Sequence, residues 1–255
     1  MPAMMGLLRA LRQSVSPGRR PWWRRYRRET RRPAHCLLFL LPLAAIYEIG
    51  ALSVAGGEAV GRDLLVPQSI REVLGWFGFL GSWVPWVMLV VALLVWHRLS
   101  RDRWTVRGWV FPGMVLESLV LTVPLLILSA LFPQRGEVVA AGVPAQLVKA
   151  LGAGIYEELV FRLLLISGLT WLLVEVARLR GTSALWAAAA LASLVFARCH
   201  FQPIGWEPLR WGAFWFRAVA GVYLAILFIG RGLGVSAGCH AAYNMLLVWL
   251  RSGAG

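Results

Sequence analysis

Lysine and acidic side chains are scarce in this sequence. Of the 26 basic residues only Lys149 is not arginine, and they face 12 acids, for a formal net charge of +14. Cysteine is scarce too. Cys36, Cys199 and Cys239 form no CxxC pair and no disulfide-rich spacing, so neither a disulfide scaffold nor a thiol-redox motif is indicated. There is no HExxH, the helix-borne pair of histidines that marks one class of zinc peptidase. Strand-like alternation is missing, which argues against a transmembrane barrel. No repeat of solenoid length is visible. The basic N-terminal arm lacks the small-residue cleavage site of a secretory signal.

What the sequence has in excess is apolar surface. Apolar residues make up 59% of the chain and the mean hydropathy is +0.67. Soluble domains sit nearer about 45–50% apolar. A water-soluble core could not hide this much, so lipid must be part of the solvent. The fold class expected is all-α: a polytopic transmembrane helix bundle of about seven spans (six to eight), each near 20 residues long.

The expected organisation is an arginine-rich arm over 1–34, one integral membrane domain over 35–250, and a short tail over 251–255. Ten arginines lie between Arg9 and Arg32 against a single acid, Glu29. Such a segment before a first span holds the N-terminus on the cytoplasmic side and attracts anionic lipid heads. Membrane lipid is therefore an expected partner and nucleic acid is not. Apolar runs follow at Cys36–Ala55, Trp76–Trp96, Val110–Phe132, Leu147–Ala177, Thr182–His200, Trp211–Ile229 and Val235–Leu250. The first loop nets −1, the second +3 and the third zero, which agrees with a cytoplasmic N-terminus.

Ionisable residues inside spans are expensive and need a partner or a task. The fourth run contains Glu157 and Glu158, followed by Arg162. Glu158 and Arg162 are spaced i,i+4 and share a face, so they can pair. Glu157 points about 100° away, toward the face of Gly154 and Phe161, and lacks an obvious local cation. A freer carboxylate suits general acid/base work; packing through Arg162 is the structural alternative for Glu158. Phe196 and His200 share a face at the end of the fifth run. His240 and Asn244 do so in the seventh, beside the small residues Gly238, Ala241 and Ala242 that admit close helix approach. An imidazole and an amide on one face can bind a metal, position a water, hydrogen-bond an oxyanion, or join two helices. His35 and His97 flank spans and read as interfacial. Glu48 and Glu117 are weaker candidates that line a cavity or pair with a buried arginine.

Three motifs together, Glu157-Glu158-x-x-x-Arg162, Phe196-x-x-x-His200 and His240-x-x-x-Asn244, resemble those of the CAAX-protease and bacteriocin-processing family of intramembrane proteases. That family includes the Ras-converting type prenyl-protein endopeptidases. The resemblance covers about residues 147–250 and implies a glutamate-dependent peptidase with its catalytic cavity within the bilayer. It implies that Glu157 activates the attacking water with help from His200. His240 and Asn244 would stabilise the oxyanion, and Glu158, Arg162 and Phe196 would support them. The substrate implied is a peptide or protein with a membrane-associated terminus. No cofactor is required on this reading, because a carboxylate supported by imidazoles can activate water without an ion. If Zn²⁺ is present, Glu157, His200 and His240 are its expected ligands. Two other functions fit the same residues: a non-catalytic membrane immunity or scaffold protein, and a proton-coupled transporter. A bacterial inner membrane is the expected location.

Helical counting leaves one mismatch. With seven spans and the N-terminus inside, Glu157 falls near the midplane, His200 toward the outer end of its run, and His240 in the inner third of the last. One site needs all three at one level.

Overall fold

The computed structural model describes residues 21–54, 84–132 and 142–252, apart from Pro203 and Trp206. The first loop, the start of the second run and most of the third loop lie outside these residues. All extended regular structure among the described residues is helical. α1 is Trp22–Thr30, α2 Pro33–Val54, α3 Val84–Ser100 and α4 Val110–Leu131. α5, Val143–Glu157, runs on through a wide π-type segment, Glu158–Ile166, into α6, Ser167–Glu175. α7 is Gly181–Cys199, α8 Trp211–Arg231 and α9 Leu233–Ser252.

Each of the seven apolar runs holds a helix. Among the described residues, five helices are long and apolar enough to cross a bilayer: those at Pro33–Ser53, Val110–Leu131, Gly181–Cys199, Trp211–Arg231 and Leu233–Ser252. The fourth run is helical up to Glu175, but it carries Lys149, Glu157, Glu158 and Arg162. The second is described only over its later part, where Val87–Ser100 is a shorter apolar helix. The chain forms a helical membrane bundle. Its outward apolar faces support this: Val115, Leu116, Leu119, Val120, Val123 and Ile127 of α4 are all exposed, a stripe that lipid tails would cover.

α9 is the central helix. Its window is 56% buried inside the protein, against 22% for α4. It packs on α5, α4, α8 and α2. The reason is side-chain size. A methyl group added at Gly154 of α5 would overlap the backbone of Ala241, and one at Gly238 would press on Ser118 and Phe39. Small residues let helix backbones approach in lipid, where van der Waals contact drives association. The sequence expectation for Gly238 and Ala241 therefore holds.

Residues 1–20 of the arm lie outside the described residues; from Trp22 the arm is helical. Tyr26 of α1 donates a hydrogen bond to Glu117 Oε2 at 2.8 Å, and Arg231 Nη2 donates to the same oxygen at 2.7 Å. Glu117 thus pairs with an arginine. Burial, then the Glu117 hydrogen bond and charge, push the Tyr26 phenol above its ordinary range. The turn from α8 to α9 needs Gly232, whose φ of +96° disfavours other residues and whose Cα lies against the Thr30 carbonyl. His35 and His97 stand near helix ends, as their place beside the spans implied, and are covered by protein. The cause is the arm and the 101–107 connector folding back over them. The Arg107 backbone N–H donates to His35 Nε2 at 3.1 Å, and Trp104 packs on the His97 ring at 3.8 Å.

Candidate active site

α5 and the π segment deliver Glu157 and Glu158 side by side in the interior, 7% and 0% exposed. They take different partners. Glu158 Oε1 lies 3.3 Å from Arg162 Nη2, the i,i+4 pair expected from the sequence. The same oxygen accepts a hydrogen bond from His240 Nδ1 at 3.1 Å. Its other oxygen accepts one from Ser236 Oγ at 2.5 Å, and that hydroxyl also lies 3.0 Å from the Leu224 carbonyl. Glu158 is therefore a fully committed carboxylate, held by a cation, an imidazole and a hydroxyl.

Glu157 faces elsewhere. Its Oε1 is 4.0 Å from His200 Nε2 and its Oε2 is 3.8 Å from His240 Nε2. These separations exceed a direct hydrogen bond. They suit a small polar bridge such as water between each pair. His200 Nδ1 lies 2.8 Å from the Phe196 carbonyl. A carbonyl only accepts, so Nδ1 carries the proton there and Nε2 turns a lone pair toward Glu157. His240 faces a carboxylate at each ring nitrogen, Glu158 at Nδ1 and Glu157 at Nε2.

Phe196 is the platform beneath these groups. Its ring meets Phe161 edge-on at 5.2 Å, His200 at 4.8 Å and His240 at 6.1 Å. The Arg162 guanidinium lies over it at 4.6 Å. None of the Arg162 nitrogens makes a hydrogen bond among the described residues. The Glu158 charge and the ring face are thus its identified stabilising contacts, and a desolvated cation–π contact contributes about 2 kcal/mol.

The three motifs meet in one place, so the depth mismatch disappears. Glu157 lies 21 positions before Arg178 and His200 lies 22 after it. Arg178 sits in the turn, with a φ of 56°. Nearly equal arms of an antiparallel hairpin bring both residues to one level. The contact of Gly154 with Ala241 sets the level of His240. Asn244 lies one turn beyond His240, half-buried, and makes no hydrogen bond among the described residues. Ser236 was not singled out in the sequence. Its only signal is its place four residues before His240, on the same face. Glu48 accepts a hydrogen bond from the Tyr156 hydroxyl at 2.9 Å, next to the site rather than in it.

Glu157, His200 and His240 carry the donor chemistry of a catalytic zinc site, two imidazole nitrogens and a carboxylate. Their spacing does not fit an ion directly: among the described residues no group of three or more His, Cys, Asp or Glu is placed to hold a metal.

Residues 139–246 match the family model described as Type II CAAX prenyl endopeptidase Rce1-like. Over this segment the chain is similar to that family. The matched segment contains Glu157, Glu158, Arg162, Phe196, Ser236, His240 and Asn244, as well as His200. It begins just before α5 and ends inside α9, so it takes in the buried central helices and leaves α1 to α4 outside. Neither the curated proteins nor the solved structures hold a significant match to the chain.

Proposed function

We propose that this protein is an intramembrane endopeptidase that cuts a peptide bond near a membrane-associated terminus. The observation that carries this reading is the convergence of two imidazole Nε2 atoms, from α9 and the end of α7, on Glu157, the member of the buried pair not bridged to an arginine. Water held between Glu157 and His200 attacks the peptide carbonyl carbon. Glu157 takes one proton from that water as the new C–O bond forms. The oxyanion is stabilised by an N–H at His240 Nε2, whose ring Glu158 holds at Nδ1, and by the Asn244 amide. The C–N bond then breaks and Glu157 returns its proton to the leaving nitrogen, giving a carboxylic acid and an amine. Phe196, Arg162 and Ser236 position these groups without touching the reacting atoms.

On this reading the chemistry needs no ion. The protein is placed in a membrane, taken to be a bacterial inner membrane, with its basic arm on the cytoplasmic face. Glu157→Gln tests the whole reading. Purified in detergent and offered a quenched fluorescent peptide carrying a prenylated C-terminus, the variant should lose about 10²- to 10⁴-fold in kcat, the range of general acid/base catalysis. Its thermal unfolding should be unchanged. Wild-type turnover by the variant would sink the peptidase reading.

A further inference from the structure

His200 is held only partly by its own helix. It caps α7, and its backbone carbonyl leaves the helix for the loop that follows. The Glu207 N–H donates to the His200 carbonyl at 3.3 Å, and the Gln202 N–H donates to the Glu207 carbonyl at 2.9 Å. Residues 201 and 207 pair as a short bridge. The loop thus closes on itself directly behind the imidazole. Gly205 is wedged beneath it: a methyl group there would overlap the His200 carbonyl carbon and the Cys199 oxygen.

What fastens this loop comes from another helix. Arg217 of α8 donates through Nη2 to Glu207 Oε1 at 2.5 Å, and its guanidinium covers the ring of fully buried Phe201 at 5.0 Å. Its Nη1 is buried with no hydrogen-bond partner among the described residues. Arg217 is close enough for its charge to act on both Glu157 and His200. An arginine six residues into an apolar helix, with its side chain 17% exposed, is costly unless it has a task.

We propose that the Glu207–Arg217 pair is a positioning device for His200: it clips the 200–207 loop to α8 and fixes the backbone from which the imidazole is aimed at Glu157. This inference rests on the peptidase reading for its kinetic consequence, but not for its structural one. Arg217 and Glu207 are positioning residues and touch no reacting atom. A misaligned catalytic group costs turnover rather than substrate affinity, so the pair should act on kcat.

The test uses the full chain in detergent, with Arg217→Gln, Glu207→Gln, the exchange Glu207→Arg with Arg217→Glu, and Arg217→Lys. On the prenylated peptide each Gln variant should lose about 10- to 100-fold in kcat with KM within about twofold of the parent. The exchange and the Lys variant should recover part of that loss. A second readout is independent of catalysis. Cys199 is the half-exposed cysteine, while Cys36 and Cys239 are buried. Its maleimide labelling should speed up about threefold or more in the Gln variants, as the loop opens locally, and stay at the parent rate in Glu157→Gln. Unchanged labelling and unchanged kcat in the Gln variants would overturn the proposal, as would a loss confined to KM. If Glu157→Gln instead cleaves at the wild-type rate, the peptidase reading fails, and the labelling still decides whether the clip holds the loop.

Discussion

His240 is addressed by a carboxylate at each ring nitrogen, and the two are consecutive residues. The one at Nδ1, Glu158, is itself anchored by Ser236. Ser236→Ala removes a hydrogen bond to a charged group, an interaction of about 1.5–3 kcal/mol. Steady-state kinetics should show a lower kcat with KM nearly unchanged, because the residue orients His240 and does not meet substrate. The same tethering bears on metal dependence. With His200 Nδ1 tied to the Phe196 carbonyl, its Nε2 faces Glu157 as a second base, and the proposed water activation needs no ion. Activity should survive strong chelation; one zinc per chain together with loss of activity on its removal would overturn this. Glu157, Glu158, Arg162 and the two histidines were legible in the sequence, because charge and imidazole stand out in an apolar run where each is costly. Ser236 was not. A serine in a helix can satisfy its hydroxyl on a nearby backbone carbonyl, so its presence signals nothing by itself.

Among the helices, α9 and α5 carry the closest approach. Gly154→Leu would drive a side chain into the Ala241 backbone, which can only part the two helices. Overpacking costs about 1–3 kcal/mol, so the variant should unfold at a lower temperature in detergent and lose activity, since His240 rides on α9. Thermal scans and the peptide assay together check this. The helices themselves were legible, since an apolar run of span length dictates one in lipid. Their relative depth was not. Apolar boundaries do not reveal how far α6 continues before its turn, and that distance decides which residue of α7 faces Glu157. The wide winding of Glu158–Ile166 was also invisible. Such turns recur at functional sites, but no residue pattern here marks one.

For the molecule as a whole, charge and shape agree. α1 is fastened on its inner side by Tyr26 to Glu117, and it leaves Trp22 and the arginines at 24, 25, 27 and 28 exposed. Indole and guanidinium side chains on one short helix suit the headgroup layer of an anionic membrane face. A cysteine placed at Trp22 should therefore react with a membrane-impermeant maleimide only when the cytoplasmic face is accessible. Labelling from the opposite face would reverse the orientation. The hairpin between Glu157 and His200 constrains length as well as level. Removing one residue from either arm would move its site residue by about 1.5 Å and swing it about 100° about the helix axis, out of the shared pocket. Related chains can therefore vary freely only at the bend near Arg178. Elsewhere a gain or loss in one arm requires a matching change in the other, so the spacing between these two motifs should be as diagnostic as the motifs themselves.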